Sequence, residues 1–190
     1  MLEWTMFGFV KKKIMKFDKY KMKGAYHWRQ YENHTGYRSH VQKVLSWIRA
    51  GKTFDVGAGD GLITFLLKCS GIDDNELAVQ FAKEKGANVS LGSAYNLAGF
   101  GKFDNVLLLD VLEHLEHPEK ALQEVRKILE EGGQLYITTP PANEGEALDP
   151  YHVQEWTLEG LISFVEQNGF KCIDSEIIFR IGKMYTIFTL

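Results

Sequence analysis

With 190 residues, 45% hydrophobic and 25% charged, the chain has the proportions of one folded domain with a real core, which excludes a disordered or fibrous protein. Its net charge of −3 conceals an asymmetry: residues 1–50 hold 11 Lys+Arg against 3 Asp+Glu, a balance of +8, and the other 140 hold 11 against 22, a balance of −11. No apolar run approaches the roughly 20 residues of a membrane-spanning helix, and there is no internal repeat or low-complexity segment.

The first ten residues lack a leading basic region and are not read as a signal peptide. Cys69 and Cys172 fall in predicted core segments and read as reduced, buried thiols, which suits a cytoplasmic enzyme. Residues 10–23 are dominated by lysine with apolar residues between, as in a short amphipathic helix or an arm. Such a basic end is a solvated cover, or else draws an anionic substrate, nucleic acid or a membrane surface. Residues 24–31 set Tyr26, Trp28 and Tyr31 around His27, the composition of a hydrophobic flap that can also close over a ligand and exclude water. The expected division is an arm or lid over 1–37 and a single domain over 38–190.

Val41, Val44, Leu45 and Ile48 recur at helical period and predict a helix over 39–50, capped by Gly51. Residues 53–56 are a short strand, followed by the turn Gly57-Ala58-Gly59-Asp60-Gly61 and a helix opening at Leu62. Residues 70–73 form a second strand ending in Asp73, and a helix over 75–85 starts from Asp74 or Asn75 and closes at Gly86. Strands follow at 87–91 and at 103–109, the latter almost continuously apolar, as a strand buried on both faces must be. Pro118 opens a helix to about residue 130, and a fifth strand spans 134–138. Pro140-Pro141 begins a long loop through His152, Thr157 caps a helix ending at Gly169, and 170–179 and 183–188 are two closing strands. Strands alternating with helices predict a doubly wound, Rossmann-like α/β sheet.

The glycine turn lets the backbone turn sharply and lie against a ligand, with a helix N-terminus facing the same crevice. Its spacing is G-x-G-x-G, and not the G-x-G-x-x-G of dinucleotide sites, and Asp55 before it would repel a pyrophosphate but help hold an ammonium group. Asp73 stands where a carboxylate accepts hydrogen bonds from two ribose hydroxyls. A nucleoside-shaped site is therefore expected at the carboxyl edge of the sheet.

Asp55-Val-Gly-Ala-Gly-Asp-Gly61, then Gly71-Ile-Asp73, then Phe103 to Leu115 with Asp110-Val-Leu-Glu-His114, then Leu129-Glu-Glu-Gly-Gly-Gln-Leu135 resemble the class I S-adenosylmethionine-dependent methyltransferases of small-molecule type. The resemblance implies a seven-stranded sheet, mostly parallel with one antiparallel strand at an edge, and an N-terminal helical flap. It implies S-adenosylmethionine as cofactor, with Asp55, Gly57, Gly59 and Gly61 around the methionine part and Asp73 on the ribose. Ser93 and Ala94 stand at the adenine, where the family often has Asp-Ala, and Asp74 replaces its bulky adenine neighbour. Asp110 faces the same crevice. The acceptor side draws on Glu113, His114, His117, His152 and Glu155, with His114 or His152 the candidate base, since imidazole titrates near working pH; His117, before Pro118, reads as structural.

The leading expectation is O- or N-methylation of a small molecule, without a metal. One alternative keeps the cofactor but changes the partner. Asp110-x-x-Glu113-His114 with His152 resembles the Glu-x-x-Glu-His and distal His of small-RNA 3′-end methyltransferases, which use a divalent metal to grip terminal ribose hydroxyls. Another alternative is a non-catalytic cofactor-binding subunit.

Overall fold

Strands and helices alternate along the chain, but the order of the strands in the sheet departs from their order in the sequence. The computed structural model describes residues 19–142, 149, 151–180 and 182–190, so expectations for 1–18 and for most of the loop after Pro141 lie outside the described residues. The helices are α1 Lys19–Lys23, α2 Tyr26–Asn33, α3 Thr35–Trp47, α4 Leu62–Leu67, α5 Glu76–Glu84, α6 Pro118–Ile128 and α7 Leu158–Gln167. The strands are β1 Thr53–Val56, β2 Ser70–Asp73, β3 Val89–Leu91, β4 Phe103–Leu109, β5 Leu129–Thr139, β6 Lys171–Ile178 and β7 Lys183–Thr189. They form one seven-stranded sheet in the order β3-β2-β1-β4-β5-β7-β6. All neighbours from β3 to β5 pair in parallel, whereas β7 is antiparallel to both β5 and β6. The antiparallel strand thus sits one place in from the edge that β6 forms.

Period-two alternation on β4 shows how the two faces are filled. Val106 and Leu108 join the larger core, with Leu122, Val125 and Ile128 of α6 and Leu161 and Val165 of α7. Leu107 points the other way, to Tyr136, Ile187 and to Trp47 and Ile63 of α3 and α4. Strands hidden on both faces need the near-continuous apolar run that the sequence supplies.

Several boundaries differ from expectation for local reasons. Helix α3 spans Thr35–Trp47, not 39–50, and Ile48 is already extended at φ −78°, ψ 122°. Gly51 does not cap it: a Cβ there would lie 2.8 Å from Asp104 Cβ, so glycine serves a close approach of chain to chain. Strand β5 begins at Leu129 because Leu129 pairs with Phe103 before a bulge, and pairing resumes at Asn105 and Gln134. The caps hold: Asn75 Oδ1 accepts from the N–H groups of Leu77 and Ala78, and Thr157 Oγ1 accepts from Gly160. Cys69 and Cys172 are free and half-buried, less enclosed than expected.

Candidate active site

The carboxyl ends of β1, β2, β4 and β5 and the entry to β7 meet at one edge, and every polar group of interest belongs to a loop leaving that edge or to the flap above it. Gly57, Gly59 and Gly61 all adopt the left-handed conformation. All three also lack room for a side chain, and a Cβ on Gly57 would lie 2.5 Å from Val111 Cγ2. A Cβ on Gly61 would lie 2.5 Å from Ala87 Cβ, where α4 closes on the α5–β3 connection, and one on Gly59 would lie 2.4 Å from the Tyr20 hydroxyl of the flap.

Asp73 ends β2. Its Oδ2 accepts the Gly59 N–H at 2.7 Å and its Oδ1 the Asn75 N–H at 2.9 Å, which ties the acid to the glycine turn. A carboxylate has about four acceptor positions, so about two remain for a ligand. Asp55 lies deeper: it is buried and accepts the Thr64 hydroxyl at 2.7 Å. Burial, only partly offset by that bond, pushes its carboxyl up to about 6.

Asp110 follows β4 with φ +56°, a left-handed conformation that an aspartate tolerates but seldom adopts outside functional loops. Its Oδ1 accepts the Thr138 hydroxyl at 2.9 Å, and its Oδ2 lies 2.6 Å from Lys183 Nζ at the start of β7. Burial raises the acid's pKa, but the Lys183 ammonium outweighs it and holds the carboxyl below the usual range. Lys183 was not singled out in the sequence; only strand order brings it here.

The loop carrying Glu113 and His114 is clamped to the one carrying His152. Val153 N–H donates to Glu113 O at 2.7 Å, and Gln154 Nε2 donates to Leu115 O at 2.9 Å. His114 Nδ1 lies 3.0 Å from Tyr151 O, and His152 Nδ1 lies 2.6 Å from Glu155 Oε1. Both partners are acceptors, so each Nδ1 carries a proton, and the lone pair of each neutral ring is at Nε2. The rings meet edge to face, 5.0 Å apart. One ligand atom from each of Glu113, His114 and His152 lies within 4.8 Å of the others. Glu113 is 1% exposed, and neither carboxylate oxygen has a partner in hydrogen-bond geometry among the described residues, although the Thr139 hydroxyl lies nearby. Burial first, and then the charge of Asp110, pushes this carboxyl up to about 8. Burial also lowers the His114 pKa, which keeps its imidazole neutral.

The remaining expected residues sit further out. Asp74 is exposed, and Ser93 Oγ accepts the Tyr95 N–H at 3.2 Å. Ala94 packs against the larger core. His117 is exposed beside Glu119, its N–H donating to the Tyr95 hydroxyl.

Sequence reasoning missed a constellation in the flap. Asp60, fully buried in the glycine turn, accepts the His27 backbone N–H through Oδ2 at 2.7 Å and faces His27 Nδ1 through Oδ1 at 3.1 Å. Trp28 Nε1 donates to the Asp60 carbonyl at 2.8 Å. His27 Nε2 then meets Lys19 Nζ at 3.1 Å. Asp60 could have been noticed, since it is the acid within the turn, but its partners come from a segment more than 30 residues earlier.

A family of methyltransferase domains matches residues 54–137, which run from β1 into β5 and include the carboxyl ends of β1, β2 and β4. Residues 54–137 are thus similar to a methyltransferase domain. An uncharacterised protein of Methanocaldococcus jannaschii is 29% identical over 109 residues, 56% of this chain and 53% of that one. A ubiquinone biosynthesis O-methyltransferase of Caulobacter vibrioides is 31% identical over 98 residues, 45% of this chain and 39% of the relative. The chain thus spans about half the length, or less, of these curated relatives. Among solved structures, a Thermotoga maritima S-adenosylmethionine-dependent methyltransferase, described as a possible histamine N-methyltransferase, superposes with a TM-score of 0.74 at 20% identity, covering 90% of this chain and 97% of that one. The likeness in fold thus covers more of the chain than the family match does.

Proposed function

We propose that the chain transfers a methyl group from S-adenosylmethionine to an oxygen or nitrogen of a small-molecule acceptor. The observation that carries this reading is Asp73. It is held by two backbone N–H groups, one from the glycine turn, and has acceptor capacity left for a ribose diol. The left-handed glycines let the backbone lie against the methionine part, beside Asp55, and Asp110 offers a negative charge to its ammonium group in competition with Lys183. Ser93 and Ala94 flank the adenine side. The bound sulfonium supplies the methyl group, and the chain's task is to hold donor and acceptor in line and to take a proton. His114 and His152, each with an open Nε2, are the groups placed to take it. The relative that makes ubiquinone supports an oxygen acceptor. Free cysteines suit a reducing, cytoplasmic setting, and no helix among the described residues is long and apolar enough to cross a membrane.

The test is release of demethylated cofactor when phenols, catechols, quinols and amines are offered with S-adenosylmethionine. At least one class should raise release above the cofactor-only background. Cofactor binding with no release across the panel would favour a non-catalytic subunit.

A second reading rests on Glu113, His114 and His152. Two imidazoles fixed with open Nε2 atoms and a buried carboxylate without partners fit a divalent ion, which would polarise an acceptor hydroxyl or grip a ribose diol, including that of an RNA 3′ end. Calorimetric titration with Zn²⁺, Mn²⁺ and Mg²⁺ should give a site that Glu113→Gln weakens at least about tenfold. Full activity in chelator, with no heat of metal binding, would remove this reading.

A further inference from the structure

The flap carries a chemical grouping that the transfer to an external acceptor leaves unused. Lys19 Nζ, His27 and Asp60 stand in the order amine, base, carboxylate: Nζ to Nε2 at 3.1 Å, then Nδ1 to Asp60 Oδ1 at 3.1 Å. A buried carboxylate fixes the tautomer with Nδ1 protonated, so Nε2 presents its lone pair to the amine. The His27 ring is further set by Tyr20 and Tyr26 edge-on and by Tyr37 stacked at 6.1 Å. The amine lies over the faces of Tyr20 and Tyr26, 5.4 Å from each centroid.

Position matters as much as order. Lys19 is near enough to Asp73, on the ribose side, and to Glu113 and His114, on the acceptor side, for its charge to act on all three. The grouping also lies against the glycine turn, since a Cβ on Gly59 would stand 3.0 Å from His27 Cε1. Helix α1, which carries it, joins α2 through Gly24 at φ +62°, with no neighbour within 4 Å of a Cβ there, so the joint is unobstructed. Burial lowers the lysine's pKa, and the acids Asp110, Asp60, Asp73 and Glu113 oppose this without overcoming it.

We propose that Lys19 is a self-methylation site, its amine accepting the methyl group with His27 as the base and Asp60 as the residue that positions it. This rests on the methyl-transfer reading above. The Lys19 nitrogen lone pair forms the N–CH₃ bond as the S–CH₃ bond breaks, its electron pair staying on sulfur, so the sulfonium becomes a neutral thioether. The proton leaves Nζ for His27 Nε2, and the Asp60 carboxylate faces the resulting imidazolium. One thioether product appears per methyl gained by the chain.

The test is to incubate the full chain with S-adenosylmethionine carrying a ¹³C-methyl group and map the modified peptide by mass spectrometry, with binding of the demethylated product followed by calorimetry. The expected result is a methyl on Lys19, none in Lys19→Arg, and formation at least about tenfold slower in His27→Gln, whose amide keeps both hydrogen bonds but takes no proton. An independent readout is ¹³C NMR of labelled lysines in the ligand-free chain, where the signal lost in Lys19→Arg should titrate below the other lysines. Product binding with Lys19 unmodified, methylation elsewhere, or a Lys19 signal titrating with the exposed lysines would overturn the proposal. Absence of product binding would instead remove the methyl-transfer reading and this proposal with it.

Discussion

Asp55 is a carboxyl group enclosed in β1, where the Thr64 hydroxyl donates to it. Its pKa in the fold, about 6, exceeds the ordinary 3.8, so the folded state holds the proton more tightly than the unfolded one. The stability this confers is full below pH 3.8 and is lost as pH rises through about 6, at most about 3 kcal/mol across that window. Asp55→Asn keeps the acceptor for Thr64 and removes the titration. Its unfolding free energy relative to wild type should rise between pH 4 and pH 8 by roughly 2–3 kcal/mol in chemical denaturation; a difference that stays flat would place the acid in water. At this scale the sequence was partly readable. Asp73 could be singled out because strand end and turn chemistry are local. The His27–Asp60 and Lys183–Asp110 pairs could not, because neither partner's position follows from its neighbours in the chain.

The glycine turn belongs to the scale of elements, and the same substitution at two glycines separates its two demands. Gly61 has φ +76° and a Cβ there would meet Ala87 Cβ at 2.5 Å and Ala82 Cβ at 3.0 Å. Gly132, in the bulge before Gln134, has φ +70° and nothing within 4 Å. Gly132→Ala should cost about 1–2 kcal/mol for backbone conformation alone. Gly61→Ala adds overpacking, roughly 2–5 kcal/mol in total, and should lower the melting temperature by roughly 5–15 °C in a circular dichroism melt. Equal shifts in the two variants would mean that α5 and β3 do not press against the turn. Element type was legible throughout because the periods differ, 3.6 for α6 and near-continuous apolarity for β4. Ends were less so. Helix α3 stops before Ile48, and β5 starts at Leu129, because packing and ladder pairing override the local signals at Gly51 and Gly132–Gly133.

For the molecule as a whole, strand order explains what the linear sequence leaves apart. Placing β7 between β5 and β6 carries Lys183 to the edge where Asp110 ends its strand, and folding the flap over β1 carries His27 and Lys19 to Asp60. The charge asymmetry of the sequence takes a specific form here: two lysines, from the flap and from β7, stand against Asp60, Asp73 and Asp110. Such a crevice favours a ligand with its own positive charge, as a sulfonium with an ammonium group has. The most direct measurement is calorimetric titration of S-adenosylhomocysteine, the demethylated cofactor, into wild type and Asp73→Ala. Binding to wild type that weakens at least about tenfold in the variant, as loss of charged hydrogen bonds requires, is the expected result. Equal affinity in the two would contradict the role given to Asp73, and no binding to wild type would contradict the cofactor site itself.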